Sequence, residues 1–260
     1  MYNIHNKWDP LKVCMLGNNY APEFFNGLDK RVADPLKRIC DETLEDLDGY
    51  KHILQEFGVQ VIQPQLDPLE RFLDNPHRYP RGPLQPRDNN IVLGNKCFTH
   101  GEDHKAIAQR LFEYDQTNTV LTSTLPIPES KYNQIACFES GDWPLYQDYQ
   151  NGVELKDFVK KEIEDLHYNG LPIYSATSFL LDDTLLINVS YDGKNLDEPD
   201  PHIMDAKESI KTIADQATGR DLNIMMVNVE GHTDGNFHPI KPGAILSLYD
   251  VQNYADTFPG

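Results

Sequence analysis

A chain of 260 residues with 39% apolar and 10% aromatic side chains can bury a core of one large or two small domains, which excludes disorder throughout. Forty-one acids against twenty-three bases leave a net charge of −18. Such a surface repels phosphate backbones and anionic lipid, so neither nucleic acid nor membrane is an expected partner.

The opening MYNIHNKWDP lacks the basic start and apolar stretch of a signal peptide, and no apolar run reaches the ~20 residues of a membrane span. A cytoplasmic protein is the expectation. The four cysteines, Cys14, Cys40, Cys97 and Cys137, lack the tight spacing of a disulfide framework.

Lys12 to Leu16 reads as a buried strand, broken by Gly17-Asn18-Asn19. Asp34 and Pro35 read as the N-cap and first turn of a helix whose apolar spacing runs to Gly58. Val59 to Ile62 returns as a strand, and a proline-rich connection follows from Pro64 to Pro86. Loops of that length often carry function. Further strands are expected at Ile91–Leu93, Phe179–Leu181, Thr184–Val189, Ile224–Val229 and Ala244–Leu248. Helices are expected near Asp103–Tyr114, Leu155–Leu166 and Ile203–Ala217, the last stopped by Gly219. No strict sequence repeat is visible, yet strand, helix and strand cycle about every 50–60 residues, which predicts an α/β fold.

Three polar clusters sit beside strands. Pro86-Arg87-Asp88-Asn89-Asn90 precedes IVLG, Glu139-Ser140-Gly141-Asp142 follows IACF, and Gly231-His232-Thr233-Asp234-Gly235 follows IMMVNV. Strand ends and their loops are where α/β proteins bind ligands. Each cluster also has a plainer reading: an Arg87-Asp88 ion pair, turn caps from Glu139 and Asp142, or mutual orientation of His232 and Asp234. A carboxylate beside an imidazole tunes an acid/base near neutrality. Two convergent aspartates, Asp88 and Asp234, form an acceptor pair suited to the guanidinium fork. No Walker-type loop or GxGxxG supports nucleotide use. Cys97, His100 and His104 have a weak metal-ligand spacing, but no second pair completes a site, and a solvated helix start is the better reading.

These stretches carry a resemblance. The run Asn6-Lys7-Trp8-Asp9-Pro10-Leu11-Lys12-Val13 resembles the N-WDPL opening of the glycine amidinotransferase family. Pro86-Arg87-Asp88 before IVLGN resembles its PRD–strand–G-N motif, CFESGD its acidic third motif, and GHTDGNFHPIKPG its H-x-D segment. The four stretches occur in family order and cover Asn6 to Gly243. The resemblance implies the guanidino-group-modifying superfamily and its pentein fold, a five-bladed α/β propeller. About four blades then fall within residues 1–260 as a single amidinotransferase-like domain that lacks its C-terminal blade.

The roles follow from the same resemblance. Asp88 and Asp234 hold the substrate guanidinium. His232 is general acid and base, and Glu139 supports it, although the amidinotransferases carry Asp there and deiminases commonly Glu. Arg87 and Asp142 join the substrate-binding set, Asp142 more as a holder of loop geometry. No metal or organic cofactor is implied. The expected partners are a small guanidino substrate such as arginine and an amine acceptor, with self-association to cover the flanks of an open propeller. The family nucleophile is a cysteine near the C-terminus. No cysteine follows Cys137, so the expectation is a fragment without turnover. A deiminase or hydrolase of the same fold, and a non-catalytic guanidino-compound binder, are the alternatives.

Overall fold

The computed structural model describes residues 1–27, 29–66, 83–99, 105–121, 173, 175–189, 201–227, 229 and 232–247. Strand β1 (Val13–Met15) pairs in parallel with β2 (Gln60–Ile62), joined across helix α1 (Lys30–Glu56). That helix starts earlier than the sequence signals suggest. Asp29, not Asp34, is its N-cap, accepting from the Arg31 backbone N–H at 2.9 Å, and Pro35 lies inside the helix. Asp29 wins because its carbonyl also accepts from Val32 and Ala33 at 2.9 and 2.8 Å, starting the helix before Pro35 is reached.

Two regions of the chain then build the same unit. In the first, β3 (Asn90–Leu93) and β4 (Lys96–Thr99) form an antiparallel hairpin. Helix α2 (Lys105–Tyr114) leads to β5 (Thr119–Leu121), which lies parallel to β4. In the second, β6 (Ser178–Leu181) and β7 (Thr184–Asn188) form the hairpin, and β8 (Asn223–Val227) lies parallel to β7. The connecting helix expected over Ile203–Ala217 is two helices, α3 (Pro201–Asp205) and α4 (Lys207–Thr218), with a turn at Ala206. Gly219 ends α4 in the left-handed region, as its position past the last apolar residue predicted. Past β8, a single turn of helix, α5 (Thr233–Asn236), runs directly into β9 (Phe237–Lys241), which pairs antiparallel with β10 (Ala244–Ser247).

The described strands thus form four small sheets of two or three strands. Strands β5 and β9 and the helical turn at α5 escape the sequence reading: β5 and α5 are only three and four residues long, and β9 carries Pro239 in its middle, which reads against a strand. The expected helix at Leu155–Leu166 lies outside the described residues.

The main core joins the two repeated units. Ile91, Leu93 and Phe98 of the first hairpin pack with Leu185 and Ile187 of the second and with Ile210, Ala214 and Ala217 of α4. Gly94, in the turn of the first hairpin at φ +54°, lets the two come this close: an added Cβ would lie 2.3 Å from the carbonyl oxygen of Ala217. The opposite face of the first hairpin buries Cys97 with Ile107 and Leu111 of α2. Among the described residues, no helix is long and apolar enough to cross a membrane.

Candidate functional site

Three hairpins begin side by side, and their first residues build the site. The Ser175 N–H donates to the carbonyl of Asn90 at 2.9 Å, tying the approach to β6 to the start of β3. On its other side, Asp234 N–H donates to the Ala176 carbonyl at 3.3 Å, and the Thr233 hydroxyl donates to the Thr177 carbonyl at 3.1 Å. The turns in front of β3 and β9 therefore flank the start of β6.

Asp88 sits in a single 3-10 turn, Pro86–Asn89, directly before β3. Proline opens that turn, where its missing N–H costs nothing. The Asp88 N–H donates to the Gln85 carbonyl at 3.1 Å, and the Asn90 side-chain amide donates to the Pro86 carbonyl, closing the turn from below. Asp234 sits in α5, directly before β9. The third cluster thus leads into a strand as the first does, whereas the sequence alone placed it only after one. In each case a short helical turn delivers an aspartate to the front edge of a hairpin.

The two carboxylates meet at Arg87. Its Nη1 pairs with Oδ2 of Asp234, and its Nε lies 3.4 Å from Oδ1 of Asp88. The Asp234 side chain is 3% exposed, that of Asp88 23%, and that of Arg87 52%, so the guanidinium closes the cluster from the solvent side. Oδ1 of Asp88 and Oδ1 of Asp234 are both buried, and among the described residues neither accepts a hydrogen bond, the Arg87 contact to Asp88 being an ion pair. Burial pushes the Asp88 carboxyl above its ordinary value, and Asp234 pushes it further, while His232 and Arg87 pull it down. The imidazole of His232, itself exposed, therefore stands within electrostatic reach of Asp88. Its carbonyl accepts from Gly235 N–H and from the Asn236 amide, both at 3.1 Å, which fixes the turn on which it stands.

Two residues that sequence reasoning passed over belong to the same cluster. Lys7 places its ammonium 4.7 Å above the ring centre of Phe179, a cation–π contact. Burial lowers its pKa; Asp234 opposes that shift and Arg87 adds to it, so Lys7 shares the charge environment of the pair. His238 on β9 stands edge-on to the same ring, at 6.1 Å between centres. Burial, with Lys7 and Arg87, holds its pKa below the ordinary histidine value against the pull of Asp234.

The geometry explains the N-terminal motif. Asp9 accepts from the His5 and Asn6 N–H groups, each at 2.8 Å, and Asn6 accepts from the Asp182 N–H at 2.5 Å. The Lys7 N–H donates to the Leu180 carbonyl at 3.0 Å. The N-x-x-D pattern is thus a turn that lays Lys7 along β6, and that pattern was the available signal for it.

Of the residues singled out from sequence, Arg87, Asp88, His232 and Asp234 come together. Glu139 and Asp142 lie outside the described residues, as do Cys137, His100 and His104. The three described thiols stand elsewhere in the fold. Cys97 is fully buried in β4 and its thiol is pushed up to about 12. Cys40 is buried in α1, and Cys14 lies on β1 with its thiol also raised by burial.

The chain is similar to the inosamine-phosphate amidinotransferase of Streptomyces griseus, with a TM-score of 0.53 at 16% identity. The match covers 94% of this chain and 68% of that one. The fold is amidinotransferase-like. No protein-family model and no curated protein matches the sequence, so the likeness is one of mixed α/β architecture with several small sheets.

Proposed function

We propose that this chain binds a guanidino compound such as arginine at the Asp88–Asp234 pair, as an amidinotransferase-like protein. The observation that carries the reading is a pair of carboxylates, Asp88 and Asp234, that share one guanidinium and each keep a buried Oδ1 to which no described residue donates a hydrogen bond. A planar cation with five N–H donors is the ligand such oxygens take best. The two repeated hairpin–helix–strand units, with a further hairpin at β9–β10, suit a propeller built of such units. In this reading the first described unit and the segments around it are blades of one domain.

The chemistry assigned to the site is transfer of an amidino group. A thiolate adds to the guanidinium carbon, the bond from that carbon to the departing amine breaks, and His232 protonates the amine as it leaves. An acceptor amine then attacks the amidino-thiol carbon, gives its proton to His232 and restores the thiolate. Asp88 and Asp234 hold the guanidinium nitrogens in plane throughout, and the family resemblance assigns Glu139 to the support of His232. Water in place of the amine would make the reaction a hydrolysis.

A second reading, a guanidino-compound binder without turnover, is favoured by the thiols: none of the three described cysteines lies at the site. Incubation with arginine and glycine separates the readings. Ornithine and guanidinoacetate that disappear in His232→Gln, a loss of about 10²-fold or more, support transfer. Arginine binding without product supports the binder. Turnover lost in Cys137→Ser would assign the nucleophile to that residue.

A further inference from the structure

The guanidinium that meets the two aspartates belongs to the chain itself. Arg87 precedes Asp88 by one residue, and its tether restricts what it can reach: one nitrogen pairs with Asp234 and another lies 3.4 Å from Asp88. Among the described residues, Oδ1 of both carboxylates accepts no hydrogen bond in this arrangement. An untethered guanidinium has the same charge and the same five donors, and can turn to serve both oxygens. The resident group is also the most solvent-exposed of the three, which leaves it a way out into water. When it leaves, Lys7 stays beside Asp234 and offsets part of the buried charge.

We infer that Arg87 is an internal occupant of the guanidinium seat, which an incoming guanidino ligand displaces. The inference rests on the binding site proposed above and adds a property to it: the free chain is self-closed, and its apparent affinity is lowered by the fraction of time Arg87 is seated. A group seated about nine-tenths of the time weakens binding tenfold.

Calorimetry with methylguanidinium and with arginine on the full chain tests this. Arg87→Ala is expected to bind methylguanidinium about tenfold or more tightly than the parent, and a further Asp234→Asn change is expected to abolish the gain. Arg87→Gln, which keeps a polar side chain of similar reach, supplies the same comparison where Arg87→Ala does not fold. Should the parent bind methylguanidinium and both Arg87 variants bind it no more tightly, the internal occupant is overturned and the seat stands. Should parent and variants all fail to bind it, the seat itself is wrong and the inference falls with it.

Discussion

The starts of β6 and β9 lie next to each other and answer the same structural demand with different chemistry. At β6, Thr177 and Ser178 are buried hydroxyl residues, and the Thr177 carbonyl accepts from both the Thr233 hydroxyl and the Asn188 N–H. At β9 the equivalent turn presents Asp234, a carboxylate buried almost completely, beside Arg87 and Lys7. The hydroxyl start satisfies its own hydrogen bonds and holds its neighbours. The acidic start needs cations, because a buried carboxylate without compensation costs several kcal/mol. Under the proposed function, this difference separates scaffold from site: one strand start fixes geometry, and the other is the one that takes the ligand.

The largest expected effect comes from converting the acidic start into a neutral one. Asp234→Asn removes the charge that holds the guanidinium and leaves Arg87 and Lys7 facing each other. Charge-assisted hydrogen bonds contribute about 1.5–3 kcal/mol each, so calorimetry with arginine is expected to show affinity falling by at least about tenfold. Affinity equal to that of the parent would mean that the acidic start is scaffold too, and the comparison would fail.

A smaller effect is expected from the hydrogen bond that joins the two starts. Thr233→Val keeps the shape of a fully buried side chain and removes its hydrogen bond to the Thr177 carbonyl. That carbonyl still accepts from Asn188 N–H at 2.9 Å, so no acceptor is orphaned. The expected loss is about 1 kcal/mol in urea unfolding. Because Thr233 adjoins Asp234, arginine affinity should fall as well. A stability loss with unchanged affinity would show that Asp234 is held by its own N–H alone.

The sequence made the charged turns of the acidic side legible and hid the residues that surround them. Arg87, Asp88, His232 and Asp234 stand out because charged residues beside Gly and Pro at strand ends are locally conspicuous, and the structure does gather them. Lys7 and His238 did not stand out, because their place depends on where β6 lies relative to the N-terminal segment, and no local pattern encodes that. The long period of α1 was readable, but its start was misplaced because Asp34-Pro35 imitates a cap that Asp29 already supplies. Strands β5 and β9, of three and five residues, owe their conformation to pairing with β4 and β10 rather than to their own composition.

The finest test concerns Asp88, where binding and stability pull in opposite directions. Burial raises its pKa, and Asp234 adds to that, even though His232 and Arg87 work the other way. The folded chain therefore holds the Asp88 proton to higher pH than the unfolded chain does. Below the ordinary carboxylate value both states are protonated, and the residue favours neither by its charge. As pH rises through the window between the ordinary value and the raised one, the unfolded state ionises first and the folded state loses stability. Above the window the deficit is constant. Asp88→Asn cannot ionise, so it is expected to match the parent near pH 3 and to exceed it slightly at pH 7, by roughly 2 °C or less in Tm. The same variant is expected to bind arginine less tightly, because one of the two donor-free oxygens has lost its charge. A thermal melt series from pH 3 to pH 7, run beside calorimetry, reads both quantities. A variant less stable than the parent at pH 7 would mean that Arg87 and His232 outweigh burial at Asp88. The residue would then belong with the self-satisfied scaffold rather than with Asp234.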